Sequence, residues 1–159
     1  MGKFDLNRLP HDVFQSSVKA GDVVMLIRVY YEDTDAAGVV YHSNYLDYCE
    51  RARTEFLRER GFSVAELAAA GAVFPVVRME VDFKAAAKHD DLLCVETIVE
   101  KINGSSIVFR QQIYHEADHK LLVRLLVTLA CVNDKLRARR IPVELRALLS
   151  EEVLDADQS

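Results

Sequence analysis

The chain has 159 residues, of which half are apolar and 28% charged, with a formal net charge of −5. That length supports one domain, burying about 68–70% of the surface its unfolded form exposes, and the composition excludes a disordered or fibrous chain. The acidic balance argues against nucleic acid as a partner, since a general binder carries a basic footprint, but it leaves room for a local basic pocket that holds a phosphorylated ligand.

In chain order, residues 1–22 lack clear periodicity, contain Pro10 and Gly21, and read as an irregular leader with no h-region of a secretory signal. A single domain is expected over residues 23–150, followed by a C-terminal tail at 151–159. The run from Val23 to Tyr31 is rich in β-branched and aromatic residues and predicts a buried strand. From Asn44 to Arg60, Tyr45, Cys49, Ala52 and Phe56 recur at helical spacing and make an apolar stripe. Ser43 or Asn44 is the expected N-cap and Gly61 the stop. Asp47, Glu50, Arg51, Thr54 and Arg58 fall opposite the stripe as a solvated face.

A short helix is expected over Ser63 to Ala70, ended by Gly71. Four strands follow: Val73 to Lys84, Leu92 to Ile102, Ser106 to His115, and Leu121 to Asn133. Pro75 implies that the first of them starts irregularly or lies on an edge. Asn103-Gly104 is a hairpin signal, so the last three strands are expected to form an antiparallel meander. The strand from Leu121 is mostly apolar and reads as buried on both faces. Pro142 then opens a short amphipathic helix through Leu149. Helix and strand segregate along the chain, which is the α+β pattern.

The longest apolar run, Leu121 to Val132, is about a dozen residues and is interrupted by Arg124, whereas a membrane span needs about 20. No transmembrane segment is expected. Cys49, Cys94 and Cys131 are widely spaced, so neither a disulfide framework nor a zinc site is expected, and reduced thiols in a cytoplasmic protein are the simple reading.

The chemistry concentrates between the first strand and the long helix, in Tyr31-Glu32-Asp33-Thr34-Asp35-Ala36-Ala37-Gly38-Val39-Val40-Tyr41-His42-Ser43-Asn44-Tyr45. If the strand stays extended, Tyr31, Asp33 and Asp35 share parity and line one wall. The competing reading is a solvated turn whose aspartates bond their own backbone. His42 sits at the threshold of the helix, where unpaired N–H groups favour negative charge developing on a carbonyl oxygen. Its competing reading is a structural hydrogen-bonding histidine. Asp35 for water activation and the helix start as oxyanion site would together serve a hydrolysis. Ser43 and Cys49 lack a nucleophile context and read as capping and core. Asp33, Asp35 and His42 can also be read as metal ligands, but nothing supplies the rest of a ligand set, so no metal is expected.

The motif Tyr31-Glu32-Asp33-Thr34-Asp35, together with Gly38-Val39-Val40-Tyr41-His42, Asn44-Tyr45 and Glu50-Arg51-Ala52-Arg53, resembles the signature of hotdog-fold acyl-CoA thioesterases. The likeness runs from about Val24 to Leu145 and is to the Tol-Pal-associated (YbgC-like) branch of the 4-hydroxybenzoyl-CoA thioesterase superfamily. It implies a long central helix wrapped by a curved antiparallel sheet of about five strands. It also implies a homodimer with active sites at its interface, two such dimers forming a tetramer being a further option.

By resemblance Asp35 is the catalytic carboxylate, as base or nucleophile. His42 with a nearby N–H polarises the carbonyl, and Tyr31 assists by hydrogen bonding. Gly38, Val40, Tyr41, Asn44 and Tyr45 are the expected substrate-binding residues, with Lys84 and Lys88 for the coenzyme A phosphates. Lys135, Arg137, Arg139 and Arg140 are an alternative set of cations. Coenzyme A is part of the substrate, and no separate cofactor is expected. Two rival readings are an acyl-thioester dehydratase or hydratase using His42 and Glu50, and a non-catalytic acyl-CoA-binding scaffold with protein partners in envelope maintenance or lipid metabolism.

Overall fold

The computed structural model describes residues 12–16 and 23–157. Two strands open the described chain, β1 (Asp12–Ser16) and β2 (Val23–Arg28). After a 3-10 turn at Tyr31–Asp33 come helices α1 (His42–Glu59) and α2 (Val64–Ala69). Strands β3 (Val76–Phe83), β4 (Leu92–Ile102), β5 (Ser106–His115) and β6 (Leu121–Ala130) follow, and α3 (Val143–Asp157) closes the chain. The strands form one antiparallel sheet in the order β1-β2-β4-β5-β6-β3. The expected meander β4-β5-β6 is present, and β3, the strand preceded by Pro75, lies on an edge.

Helix α1 buries Tyr45, Cys49, Ala52 and Phe56 at no more than 3% exposure each, the stripe that the spacing predicts. It packs on β2 and β4, and the Phe56 ring meets Phe109 of β5 edge-on at 5.7 Å. Burying one such side chain contributes about 1.5–3 kcal/mol. The helix stops at Gly61, whose φ of +90° suits a residue without a Cβ. There the Phe62 N–H reaches the Leu57 carbonyl at 2.9 Å and the Gly61 N–H reaches Arg58 at 3.0 Å, closing a Schellman motif.

Several expectations need correction. Residues 12–16, assigned to an irregular leader, form β1 and pair along β2; the rest of that leader lies outside the described residues. Helix α1 begins at His42 with Tyr41 as an N-cap that makes no side-chain bond, so neither Ser43 nor Asn44 caps it. Strand β6 is fully buried on one face, through Val123, Leu125, Val127 and Leu129; on the other only Leu122 is buried, while Arg124 is exposed and Leu126 and Thr128 are half-buried. The final helix runs to Asp157, through most of what the sequence reads as a tail, because Leu145 and Leu149 join the core and anchor it. No helix among the described residues is long and apolar enough to cross a membrane.

Candidate active site

The segment from Thr34 to Val40 is a small hairpin. The Gly38 N–H donates to the Asp35 carbonyl at 3.0 Å and the Asp35 N–H to the Val39 carbonyl at 2.9 Å, with Gly38 at φ +80°. This is a three-residue loop built as a type I turn followed by a left-handed glycine, with aspartate at the position such turns favour. Gly38 therefore shapes the backbone, and Thr34 bridges Val40 across the loop.

Asp35 is exposed, and its Oδ1 accepts the Ala37 N–H at 2.8 Å and, more weakly, the Val39 N–H at 3.4 Å. The turn reading is thus realised through one oxygen of the side chain: Oδ1 is held by the turn, and Oδ2 has no donor among the described residues. A carboxylate fixed through one oxygen presents the other in a defined direction.

The loop is pinned from three sides. The Val40 N–H donates to the Ala87 carbonyl at 2.9 Å, and Val39 bridges Lys88. The Tyr41 N–H and the Asn44 side-chain amide both reach the Asp33 carbonyl, at 2.9 and 2.7 Å. On the third side, the Ala87 N–H donates at 2.9 Å to the phenolic oxygen of Tyr45, which is buried. Burial pushes the Tyr45 phenol above its ordinary range, more than offsetting the bond from Ala87.

These contacts show Asn44, Tyr45 and Val40 holding the loop in place, Tyr45 and Val40 buried and Asn44 half-buried. Asp33 is buried as well, and its carboxylate accepts the Tyr30 N–H at 2.9 Å at the head of the 3-10 turn.

That 3-10 turn also breaks the shared parity expected of Tyr31, Asp33 and Asp35. Asp33 turns inward, Asp35 outward, and Tyr31 is 81% exposed with its ring edge-on to His89 at 5.9 Å. No hydrogen bond joins Tyr31 to Asp35 or His42 among the described residues. His42 is the first residue of α1, exposed, with its ring 4.4 Å from that of Tyr41 and 6.3 Å from that of Phe83. The Asn44 N–H returns to the Tyr41 carbonyl at 2.9 Å. The N–H groups of His42 and Ser43 have no acceptor among the described residues, as the first turn of a helix without a side-chain cap leaves them.

Lys84 and Lys88 are exposed on the segment that carries Ala87, Lys88 beside the loop and Lys84 next to Phe83. Lys135, Arg137, Arg139 and Arg140 lie at the other end of β3, where the Arg139 guanidinium reaches the Ala70 carbonyl at 3.4 Å and Val132 bridges Val73. The structure therefore separates the two cation groups by the length of a strand. No group of three or more histidine, cysteine or acidic side chains suited to a metal ion occurs among the described residues.

One feature of the fold escaped the sequence reading. A cavity of about 350 Å³ lies between α1, α2 and the start of β3, and Arg53 and Glu50 are among its lining residues. Arg53 stands four residues after Cys49 and three before Phe56, on the apolar stripe itself, and that position is the signal that marks it as inward-facing.

Comparison with known proteins agrees with this geometry. Residues 29–156 match the model of the thioesterase-like superfamily. The chain is similar to the acyl-CoA thioester hydrolase YbgC of Escherichia coli O157:H7, 44% identical over 117 residues that cover 73% of this chain and 87% of that protein. It is also similar to the acyl-CoA thioesterase YbgC of Haemophilus influenzae, 43% identical over 76% of this chain and 89% of that one. Among solved structures, a probable thioesterase from Bartonella henselae superposes with a TM-score of 0.71 at 37% identity, over 76% of this chain and 99% of its own. The DHNA-CoA thioesterase of Staphylococcus aureus superposes with a TM-score of 0.78 at 27% identity, over 86% and 94% of the two chains. The hotdog architecture implied by the sequence motif is borne out by these neighbours.

Proposed function

The chain belongs to the thioesterase-like superfamily, and we propose from that premise that it is an acyl-CoA thioester hydrolase with Asp35 and the start of α1 as its machinery. The observation that carries this reading is a carboxylate with one oxygen, Oδ2 of Asp35, and two helix N–H groups, of His42 and Ser43, that have no partner among the described residues, the loop of the first running directly into the second.

In the reaction, Asp35 takes a proton from water as the water oxygen bonds to the thioester carbonyl carbon. The carbonyl oxygen gains negative charge and is held by the helix amides, where the positive end of the dipole adds to the hydrogen bonds. Collapse of the tetrahedral intermediate breaks the carbon–sulfur bond, and the departing coenzyme A thiolate takes the proton from Asp35. The exposed His42 ring orients the thioester beside these amides. Lys84 and Lys88 border the site from the neighbouring segment and supply cations for the coenzyme A phosphates.

A dehydratase built on His42 and Glu50 is disfavoured within one protomer, because eight residues of helix separate them by about 12 Å. The site is completed by a second copy. Edge strand β3 exposes Val76, Val77 and Phe83, and antiparallel pairing with its own twin about the strand centre sets Val76 opposite Phe83 of the partner subunit. The free cysteines fit a reducing compartment such as the cytoplasm.

The test is thiol release from a panel of acyl-CoA esters by the wild type and by Asp35→Asn. The variant is expected to lose about 10²-fold or more in kcat with KM little changed, as removal of a general base does. Undiminished turnover in the variant would reject Asp35, and an inert wild type across the panel would reject the activity.

A further inference from the structure

The cavity beside α1 is walled by apolar side chains, among them Leu57, Phe74, Ile107, Phe109 and Leu129, yet it contains the buried guanidinium of Arg53, which is only 7% exposed. The Arg53 Nη1 donates to Gln111 Oε1 at 2.9 Å, and Gln111 in turn donates through Nε2 to the Cys49 carbonyl at 2.8 Å and to Thr97 Oγ1 at 3.0 Å. Gln111 is fully buried, so this relay fixes the guanidinium in the wall. A guanidinium carries five N–H donors, and the relay engages one of its nitrogens.

No carboxylate lies within ion-pair distance of Arg53 among the described residues. Glu50, one turn upstream, is exposed and also lines the cavity. Glu50 attracts Arg53 only from beyond ion-pair distance, and burial outweighs that attraction; a buried cation so weakly compensated is unfavourable, and the geometry that relieves it best is a carboxylate meeting the planar guanidinium.

We propose that this cavity is the acyl chamber of the site and that Arg53 selects acyl groups bearing a carboxylate at the end remote from the thioester, the half-thioesters of aliphatic dicarboxylic acids. The inference rests on the thioester-hydrolase reading above. The apolar walls accept the methylene chain, and the guanidinium meets the distal carboxylate. Arg53 lies about 16 Å along α1 from His42, beyond the reach of a short acyl group held by the same protomer. The segment 73–75 that lines the cavity leads, however, into Val76, the end of β3 set opposite Phe83 of the partner subunit when two copies pair. The chamber of one protomer thereby opens toward the Asp35 loop of the other.

The experiment compares kcat/KM for hexanoyl-CoA, 6-hydroxyhexanoyl-CoA and adipoyl-CoA, with glutaryl-CoA and suberoyl-CoA to vary length, in the wild type, Arg53→Lys and Arg53→Gln. The wild type is expected to favour the carboxylated ester over its plain partner by about tenfold or more, Arg53→Lys to keep part of that preference, and Arg53→Gln to reverse it. A wild type that favours plain esters at every length overturns the proposal while leaving thioester hydrolysis intact, and a preference for the hydroxyl over the carboxylate overturns it equally. Should Arg53→Gln not fold, or no ester be turned over, the melting temperature of the wild type with free adipate against 1,6-hexanediol decides. A rise with adipate alone supports the chamber, and no difference rejects it.

Discussion

Asp35 serves the backbone and the proposed chemistry at once, because its two oxygens are divided between them. Oδ1 closes the turn and Oδ2 has no donor among the described residues. The neighbouring polar groups are supports, and Tyr45 is the one whose removal is most informative. Its hydroxyl accepts the buried Ala87 N–H, and the carbonyl of that same residue holds Val40. Tyr45→Phe keeps the ring packing against Tyr48 and Phe83 but strands the Ala87 amide, at a cost of about 1–3 kcal/mol. The urea midpoint should fall accordingly, and kcat should drop more than KM rises as the loop loses its anchor. An unchanged midpoint would show that Ala87 finds another acceptor.

At this scale the sequence displayed Asp35, Gly38 and His42 clearly, since turn chemistry and a helix start are local. It could not display the 3-10 turn at Tyr31–Asp33, which sends Asp33 into the core and Tyr31 into solvent, because that turn depends on the Asp33 carboxylate meeting the Tyr30 N–H. Nor did it display the Arg53 relay, which joins α1 to two strands distant in the chain.

At the scale of elements, what was legible is what repeats or stops locally. The stripe of α1, the glycine that ends it, and strands β4 and β5 all fall where the periodicity put them. Strand β3 starts later than its apolar run because Pro75 lies ahead of it and a bulge interrupts the pairing between Val76 and Arg78. Strand β1 was not legible, since its five residues owe their conformation to pairing with β2.

The stop of α1 gives a direct energetic test. Gly61 has no atom within 4 Å of a built Cβ, so Gly61→Ala meets no steric barrier and its cost is confined to the positive φ. That cost is about 1 kcal/mol, read as a lower thermal midpoint with thioester hydrolysis unchanged at 25 °C, because Gly61 lies at the opposite end of the helix from His42. A loss of activity greater than the loss of folded protein would mean that the helix terminus and the site are coupled.

At the scale of the whole molecule, the sheet has two unlike edges. Among the described residues, one is β1, short and paired only to β2; the other is β3, which carries exposed Val76, Val77 and Phe83 together with ladder groups that no other described strand satisfies. Natural proteins blunt such an edge with charge or cover it, and here Arg78, Glu80 and Asp82 alternate with apolar residues instead of displacing them. Pairing of two copies across β3 would satisfy both the backbone and the apolar side chains, and would bring the acyl chamber of one protomer to the loop of the other.

Val77 is the residue to change, because it is 60% exposed on that edge and has no partner of its own in the β3–β6 register. Val77→Asp sets a carboxylate opposite Asp82 of the partner subunit at both ends of that pairing, where like charges directly across two strands are destabilising, without disturbing the protomer core. Light scattering should report a protomer mass with unaltered far-UV circular dichroism, and acyl-CoA hydrolysis should fall by about tenfold or more if the interface completes the site. The wild type should show the same dependence without mutation, its specific activity declining on dilution below the dimer dissociation constant. A variant that turns monomeric and keeps full activity would place the entire acyl-binding site within one chain and would overturn the Arg53 chamber, which lies beyond the reach of a short acyl group held by the Asp35 loop of its own protomer.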